Sequence, residues 1–202
     1  MTISDVQVVR KLVLGLAVLL GVMLFAFTSS LATPGGAKHE LIEWIGFGAI
    51  VVCILGRTWA SLYIGGRKIE QFVTEGPYSI ARNPLYLFSI LGSAGVGAQL
   101  GSVLAAAAFG AIAWVVFYFV VLQEEELLSE RYGTAYANYA AAVPRFLPKL
   151  TLWRDAPTLT VMLPRTLRTF ADAMLFLLAV PLAEMFERLQ AAHVLPVLFR
   201  LP

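Results

Sequence analysis

Gly76-Pro77-Tyr78-Ser79-Ile80-Ala81-Arg82-Asn83-Pro84-Leu85-Tyr86-Leu87 is a polar loop, punctuated by Gly and Pro, that runs into an apolar helix. Asn is a favoured N-cap and Pro a favoured first helical residue, so Asn83-Pro84 predicts a helix start without any functional role. Arg82 stands beside that start. Backbone N–H groups there favour anions, and an added Arg makes a carboxylate or phosphate clamp. Tyr78 and Tyr86 flank it with apolar faces and polar tips.

Around this loop the chain is mostly apolar. Of its 202 residues, 59% are hydrophobic and 14% charged, against about a quarter charged in soluble domains. That is too little polar surface for a soluble globule. It predicts an all-α, polytopic membrane protein of one domain, residues 1–202, with four to five transmembrane helices. The formal net charge of +2 gives no support to nucleic-acid binding. Cys53 is the single cysteine, which excludes an intrachain disulfide and a Cys-based metal cluster. It reads as a small buried hydrophobe.

Upstream of the loop, residues 12–32 carry no charge and are long enough to span. The run is long for a signal peptide, and no clear cleavage site precedes a polar start, so a retained helix is expected. Thr33 to Gly36 reads as a turn. Residues 41–64 form a second apolar segment, with Glu43 near its start and Arg57 inside it. An ionisable residue at membrane depth is costly and marks a functional hypothesis. Arg57 reads either as a substrate or cofactor contact or as a side chain that snorkels or pairs structurally. Trp59 and Tyr63 fit an interfacial aromatic belt.

Downstream, residues 84–100 are apolar but short, and residues 101–122 form another spanning run. Gly92, Gly95, Gly97 and Gly101 predict a tight helical hairpin between the two. A second polar block then runs from Gln123 to Pro148. Glu125, Leu128, Tyr132, Tyr136 and Tyr139 follow helical spacing and are expected on one face. Gly133 beside them permits close approach. The acids Glu124, Glu125 and Glu126 read as a solvated face, or as groups turned toward a cation. Arg131 and Arg145 are the protein candidates, and a ligand ammonium or sulfonium is the other. Residues 169–186 read as a fifth span or an interfacial helix, and Pro196 and Pro202 frame an apolar tail.

Charge placement sets orientation. Arg10 and Lys11 precede the first run. Arg67, Lys68 and Arg82 lie between the second and third. Arg131, Arg145, Lys149 and Arg154 follow the fourth. The positive-inside rule then places the N-terminus, the 65–83 loop and the 123–165 region in the cytoplasm, so the two polar blocks share one side. We expect an integral membrane protein of a bacterial inner membrane, with the blocks meeting at its surface.

Gly-Pro-Tyr, five residues, Pro-Leu-Tyr, a helical hairpin, then Glu-Glu, Tyr-Gly, two tyrosines and Val-Pro-Arg-Phe-Leu-Pro together resemble the isoprenylcysteine carboxyl methyltransferase family. The resemblance covers a core of residues 70–150, with 157–202 as a helical extension. It implies S-adenosylmethionine-dependent methyl transfer from a cytosolic cofactor pocket. Carried over by position, the cofactor pocket would take Tyr78, Arg82, Asn83, Pro84, Tyr86, Leu87, Glu124, Glu125, Tyr136, Tyr139, Pro144 and Arg145. A lipophilic small molecule or lipid-modified acceptor would enter between helices, past Arg57 and Trp59. Beyond that acceptor and the membrane lipids, no nucleic acid or metal partner is expected. Two positions depart from the family pattern. Asn83 stands where His is usual, and Phe88 where Gly is common. Methyl transfer from a sulfonium needs alignment and desolvation, so no catalytic acid or base is expected. The rival readings are an NADPH-dependent membrane reductase of the sterol-reductase type and a non-catalytic membrane scaffold.

Overall fold

A computed structural model describes residues 15, 19, 21–32, 35–64 and 72–202. Arg10, Lys11, Arg67 and Lys68, on which the expected orientation partly rests, lie outside them. The architecture is all-α apart from one pair of short strands. In chain order the elements are β1 (Thr28–Ser30), α1 (Ala37–Ile64), a single turn α2 (Pro77–Ile80), α3 (Pro84–Ala98), α4 (Val103–Tyr132), α5 (Thr134–Ala142), α6 (Leu163–Met174), α7 (Ala179–Ala191) and β2 (Phe199–Leu201).

Among the described residues, three helical stretches are long and apolar enough to cross a membrane: Ala37–Ile64, Val103–Tyr132 and Leu163–Ala191. The 28 residues of α1 reach roughly 42 Å at about 1.5 Å each, beyond a hydrocarbon core of about 30 Å. At 15 residues, α3 is shorter than a full span. Large apolar side chains point outward, among them Trp44, Leu55, Val115 and Phe119. So much exposed apolar surface suits acyl chains rather than water.

The α1–α3 interface is built on absent side chains. A Cβ on Gly92 would sit 2.5 Å from the Cys53 sulfur, and one on Gly95 would sit 2.6 Å from the Gly46 carbonyl oxygen. Cys53 is fully buried there, as expected. The glycines expected to serve the α3–α4 hairpin thus divide. Gly92 and Gly95 face α1, and Gly97 faces the Ala105 carbonyl of α4. Helices this close gain dispersion contacts that side chains would block.

Three sequence expectations change. Residues 21–27 are helical, but the chain leaves the helix at Thr28 and pairs in parallel with Phe199–Leu201, so the helix does not continue to Ala32. The C-terminal extension packs on α1 through Ile50, Ile54, Ala173 and Ala179. Its helix tightens to a 3-10 turn at Leu175–Leu178. Pro181 follows and lacks the N–H that an α-helix would direct at Leu177. The apolar tail is a latch. Gln190 donates to the carbonyls of Ala26 (3.0 Å) and Thr28 (3.2 Å), and Ser102 Oγ donates to the Pro202 carbonyl at 2.6 Å.

Candidate functional site

Backbone bonds hold the loop of residues 76–83 against a strap formed by residues 143–154. Gly76, at φ +58°, donates its N–H to the Arg154 carbonyl at 2.7 Å. A side chain there would collide with the ring of Tyr63. Ser79 Oγ donates to the Gly76 carbonyl (2.7 Å) and accepts from the Arg154 N–H (3.0 Å). Arg82 donates its N–H to the Pro144 carbonyl (2.8 Å), and Lys149 donates to Ile80 (2.9 Å). Buried main-chain groups need such partners, and the strap supplies them.

Onto this frame the two polar blocks bring their side chains. Glu125 is buried near the C-terminal end of α4. Its Oε2 accepts a forked pair of bonds from Arg145 Nε (3.1 Å) and Nη2 (2.9 Å). Its Oε1 accepts from Asn83 Nδ2 (3.1 Å) and lies 3.5 Å from Arg82 Nε. The hydrogen bonds that Arg145 donates to Glu125 raise its guanidinium above its usual range, so it stays charged. Glu125 is thus turned toward protein cations. Glu124 accepts from the Tyr86 hydroxyl at 2.7 Å, and Glu126 faces outward.

Asn83 corrects the sequence reading. It occupies the N-cap position of α3, but its side chain makes no cap bond. The amide instead donates to Glu125 and, at 3.3 Å, to the Arg145 carbonyl. Phe88 is resolved too. Its ring fills the space that a side chain on Gly56 of α1 would need, so the substitution is absorbed in helix packing.

The expected single helical face is also corrected. Helix α4 ends at Tyr132, Gly133 turns the chain at φ +54°, and α5 begins at Thr134. Beyond its chain neighbours, no atom of the described residues lies within 4 Å of where a Gly133 Cβ would stand. This glycine therefore serves backbone conformation, not close approach. The tyrosines still converge. Phe72 meets the rings of Tyr132, Tyr136 and Tyr139 at 5.1, 5.6 and 5.4 Å. Tyr139 donates its hydroxyl to the Tyr78 carbonyl at 2.7 Å. Burial pushes the phenols of Tyr78, Tyr136 and Tyr139 up, so they are neutral donors.

Three buried polar atoms beside this cluster have no hydrogen-bond partner among the described residues: Tyr78 Oη, Arg57 Nε and Arg82 Nε. Arg57 donates through Nη1 to Ser89 Oγ on α3, and it is close enough to act on the Tyr78 phenol, as are Tyr86, Glu124 and Tyr139. Arg57 therefore joins the loop. Trp59 does not: residues two apart on a helix face apart, and Trp59 stacks on Trp153 of the strap at 5.8 Å. Tyr63 is buried and donates to Asp155 at 2.9 Å, so it is no belt residue. Pro84 is buried as the first residue of α3, and the Leu87 N–H continues that helix onto the Asn83 carbonyl at 3.1 Å. A separate open cleft is lined by Thr74, Glu75, Arg154 and Asp155.

Sequence reading passed over Phe72, Ser79 and Ser89. The sign available for Ser89 is a hydroxyl in an apolar helix that also carries Ser93 one turn on. Phe72 and Ser79 carried none.

A family model described as phospholipid methyltransferase matches residues 47–135. The cobalt-zinc-cadmium resistance protein CzcN of Cupriavidus metallidurans is 37% identical over 155 residues, covering 77% of this chain and 71% of that one. The nickel-cobalt-cadmium resistance protein NccN of Alcaligenes xylosoxydans xylosoxydans is 35% identical over 158 residues, covering 78% and 74%. Protein-S-isoprenylcysteine O-methyltransferase B of Arabidopsis thaliana is 30% identical over 125 residues, covering 57% and 64%. No solved structure matches significantly.

Proposed function

We propose, from the premise that the chain belongs to the phospholipid methyltransferase family of isoprenylcysteine methyltransferase-like membrane proteins, that it methylates a lipophilic acceptor at the cytosolic membrane face using S-adenosylmethionine. The family suggests a membrane methyltransferase. The cofactor, the face and the acceptor class are our reading. One observation carries it: Tyr78 Oη, Arg57 Nε and Arg82 Nε are buried donors that make no hydrogen bond among the described residues, Arg82 Nε having only the 3.5 Å ion pair with Glu125, and they lie near where the two polar blocks meet. Spare buried donors cost free energy until an acceptor arrives.

The residues present fit such a cofactor. Arg82 and Tyr78 suit its carboxylate, as guanidinium and phenol donors do. The ring cluster of Phe72, Tyr132, Tyr136 and Tyr139 offers π faces to a cationic or adenine group. When bound, the cofactor would supply a methyl group already activated on a sulfonium, which an acceptor lone pair would take in line as the C–S bond breaks and S-adenosylhomocysteine leaves as the neutral thioether. Glu125 has both oxygens engaged by Asn83 and Arg145 and acts as the pin of the site, not its base. Tyr86 and Glu124 hold the α3–α4 wall. Arg57, bonded to Ser89, would receive the polar end of the acceptor from the membrane side. Holding nucleophile and methyl in line while excluding water is the protein's main contribution.

Two relatives carry names from metal resistance, and we propose the same physiological setting for this chain. Its acceptor is then sought in membranes of cells grown under cobalt, zinc or cadmium stress. The test is calorimetric binding of S-adenosylhomocysteine to detergent-purified protein, with NADPH in parallel. Micromolar binding of S-adenosylhomocysteine alone is expected. Binding of NADPH alone would turn the reading to a reductase, and binding of neither would leave a scaffold.

A further inference from the structure

At the other end of α1, about 27 Å from Arg57 along the helix at 1.5 Å per residue, a second polar cluster is buried. His39 lies in the first turn of α1 and is 2% exposed. Its Nδ1 is 3.7 Å from Glu43 Oε1, one turn on, and its Nε2 is 3.2 Å from Glu187 Oε1 on α7. One ring nitrogen and one oxygen from each carboxylate lie within 4.8 Å of one another. Gly101, at φ +63° between α3 and α4, leaves room for the imidazole, since a Cβ there would occupy the ring's place. Gln99 clamps the same turn by donating to the Glu43 carbonyl at 3.0 Å.

Two further facts make this more than an internal ion pair. His39 Nε2 is buried and makes no well-aligned hydrogen bond among the described residues, its nearest acceptor being Glu187 Oε1 at 3.2 Å. The charged groups that bear on Glu43 are His39, Glu187, Glu184 and Glu40, and those on Glu187 are His39 and Glu184. No lysine or arginine is among them. Glu43 and Glu187, each about one-third exposed, share a single buried imidazole, while Glu184 is paired with Arg188 at 3.2 Å.

We propose that His39, Glu43 and Glu187 bind a first-row divalent cation of the Zn²⁺ type. An imidazole nitrogen with two carboxylates suits such ions, whereas Mg²⁺ and Ca²⁺ take oxygen ligands. Metal–ligand bonds near 2 Å bring ligand atoms to roughly 3–3.5 Å from each other, so the side chains close inward modestly from their present spacing. Three protein ligands leave at least one position to water or a passing ligand. The site lies at the opposite end of α1 from the Arg57–Tyr63 region and does not rest on the methyl-transfer reading. It also departs from the sequence expectation of no metal, because Glu187 is brought to His39 only by the packing of the C-terminal extension.

The test uses the full chain in detergent, stripped with chelator, titrated with ZnCl₂ by calorimetry, and checked by thermal unfolding with and without the ion. One Zn²⁺ per chain is expected at micromolar affinity, with a raised Tm. Glu187→Gln and Glu43→Gln should each weaken it at least tenfold. His39→Ala should abolish it. If that buried variant does not fold, the two Gln variants, whose parent side chains are about one-third exposed, decide the matter. His193→Gln should leave binding unchanged. A folded parent that takes up no Zn²⁺, or Gln variants that bind it as the parent does, would overturn the proposal.

Discussion

The two ends of α1 carry opposite kinds of unmet polarity. At the Tyr63 end, Glu125 is matched by Arg145, Arg82 and Asn83, and the atoms left over are donors. At the His39 end the atom left over is the imidazole Nε2, set among the acids Glu43 and Glu187. A buried group without a partner is expensive whichever sign it has. The sign, however, says what would relieve it. Spare donors call for an anionic or carbonyl group, and spare acceptors call for a cation.

The largest effect should come from emptying the matched end. Glu125→Ala leaves the partly buried Arg82 and the 31%-exposed Arg145 beside no carboxylate, a loss of about 3 kcal/mol, the low end for a buried pair. Denaturant unfolding in detergent should show it, together with loss of S-adenosylhomocysteine binding. An unchanged midpoint would mean the guanidinium groups find water, and the contrast between the ends would weaken. Next, Asn83→Ala should cost about 1.5–3 kcal/mol, the range for a hydrogen bond to a charged group. A cap role alone would give about 1 kcal/mol. The same unfolding experiment distinguishes the two.

The glycines sharpen the comparison. Gly101→Ala sets a methyl into the His39 ring at positive φ and should destabilise by more than about 1–2 kcal/mol. Gly133→Ala, at similar φ but facing open space, should cost only about 1 kcal/mol. Only the former should also weaken Zn²⁺ binding. Smallest of all, Arg57→Met should leave S-adenosylhomocysteine affinity within about threefold. Turnover should fall by tenfold or more, about 1.4 kcal/mol in the barrier. A matching loss of cofactor affinity would instead assign Arg57 to the cofactor.

What could be read from sequence followed from contiguity. The 76–87 loop, the acidic end of α4 and the Val143–Pro148 strap each show their chemistry within a few residues, and the helical repeat carries the rest of the fold. What could not be read depended on distance. Whether an Asn before Pro caps its own helix or reaches a carboxylate is decided by Glu125, 42 positions away. Gly133 gave the same letter for close approach and for positive φ, and only the backbone tells them apart. The strand pair, and the meeting of His39 with Glu187, exist because the C-terminal extension packs on α1, and no local pattern encodes that.

The loop and strap are joined chiefly through main-chain atoms, at Arg82 to Pro144 and at Lys149 to Ile80. Such a junction is indifferent to which side chains it carries but strict about how many residues it spans. Side chains along the strap that reach neither Glu125 nor the ring cluster are free to drift. A single-residue insertion or deletion between Pro144 and Lys149 would put the two bonds out of step and carry Arg145 away from Glu125. Alignment gaps in this short interval should therefore be rarer among relatives than substitutions, because the constraint there is on count before identity.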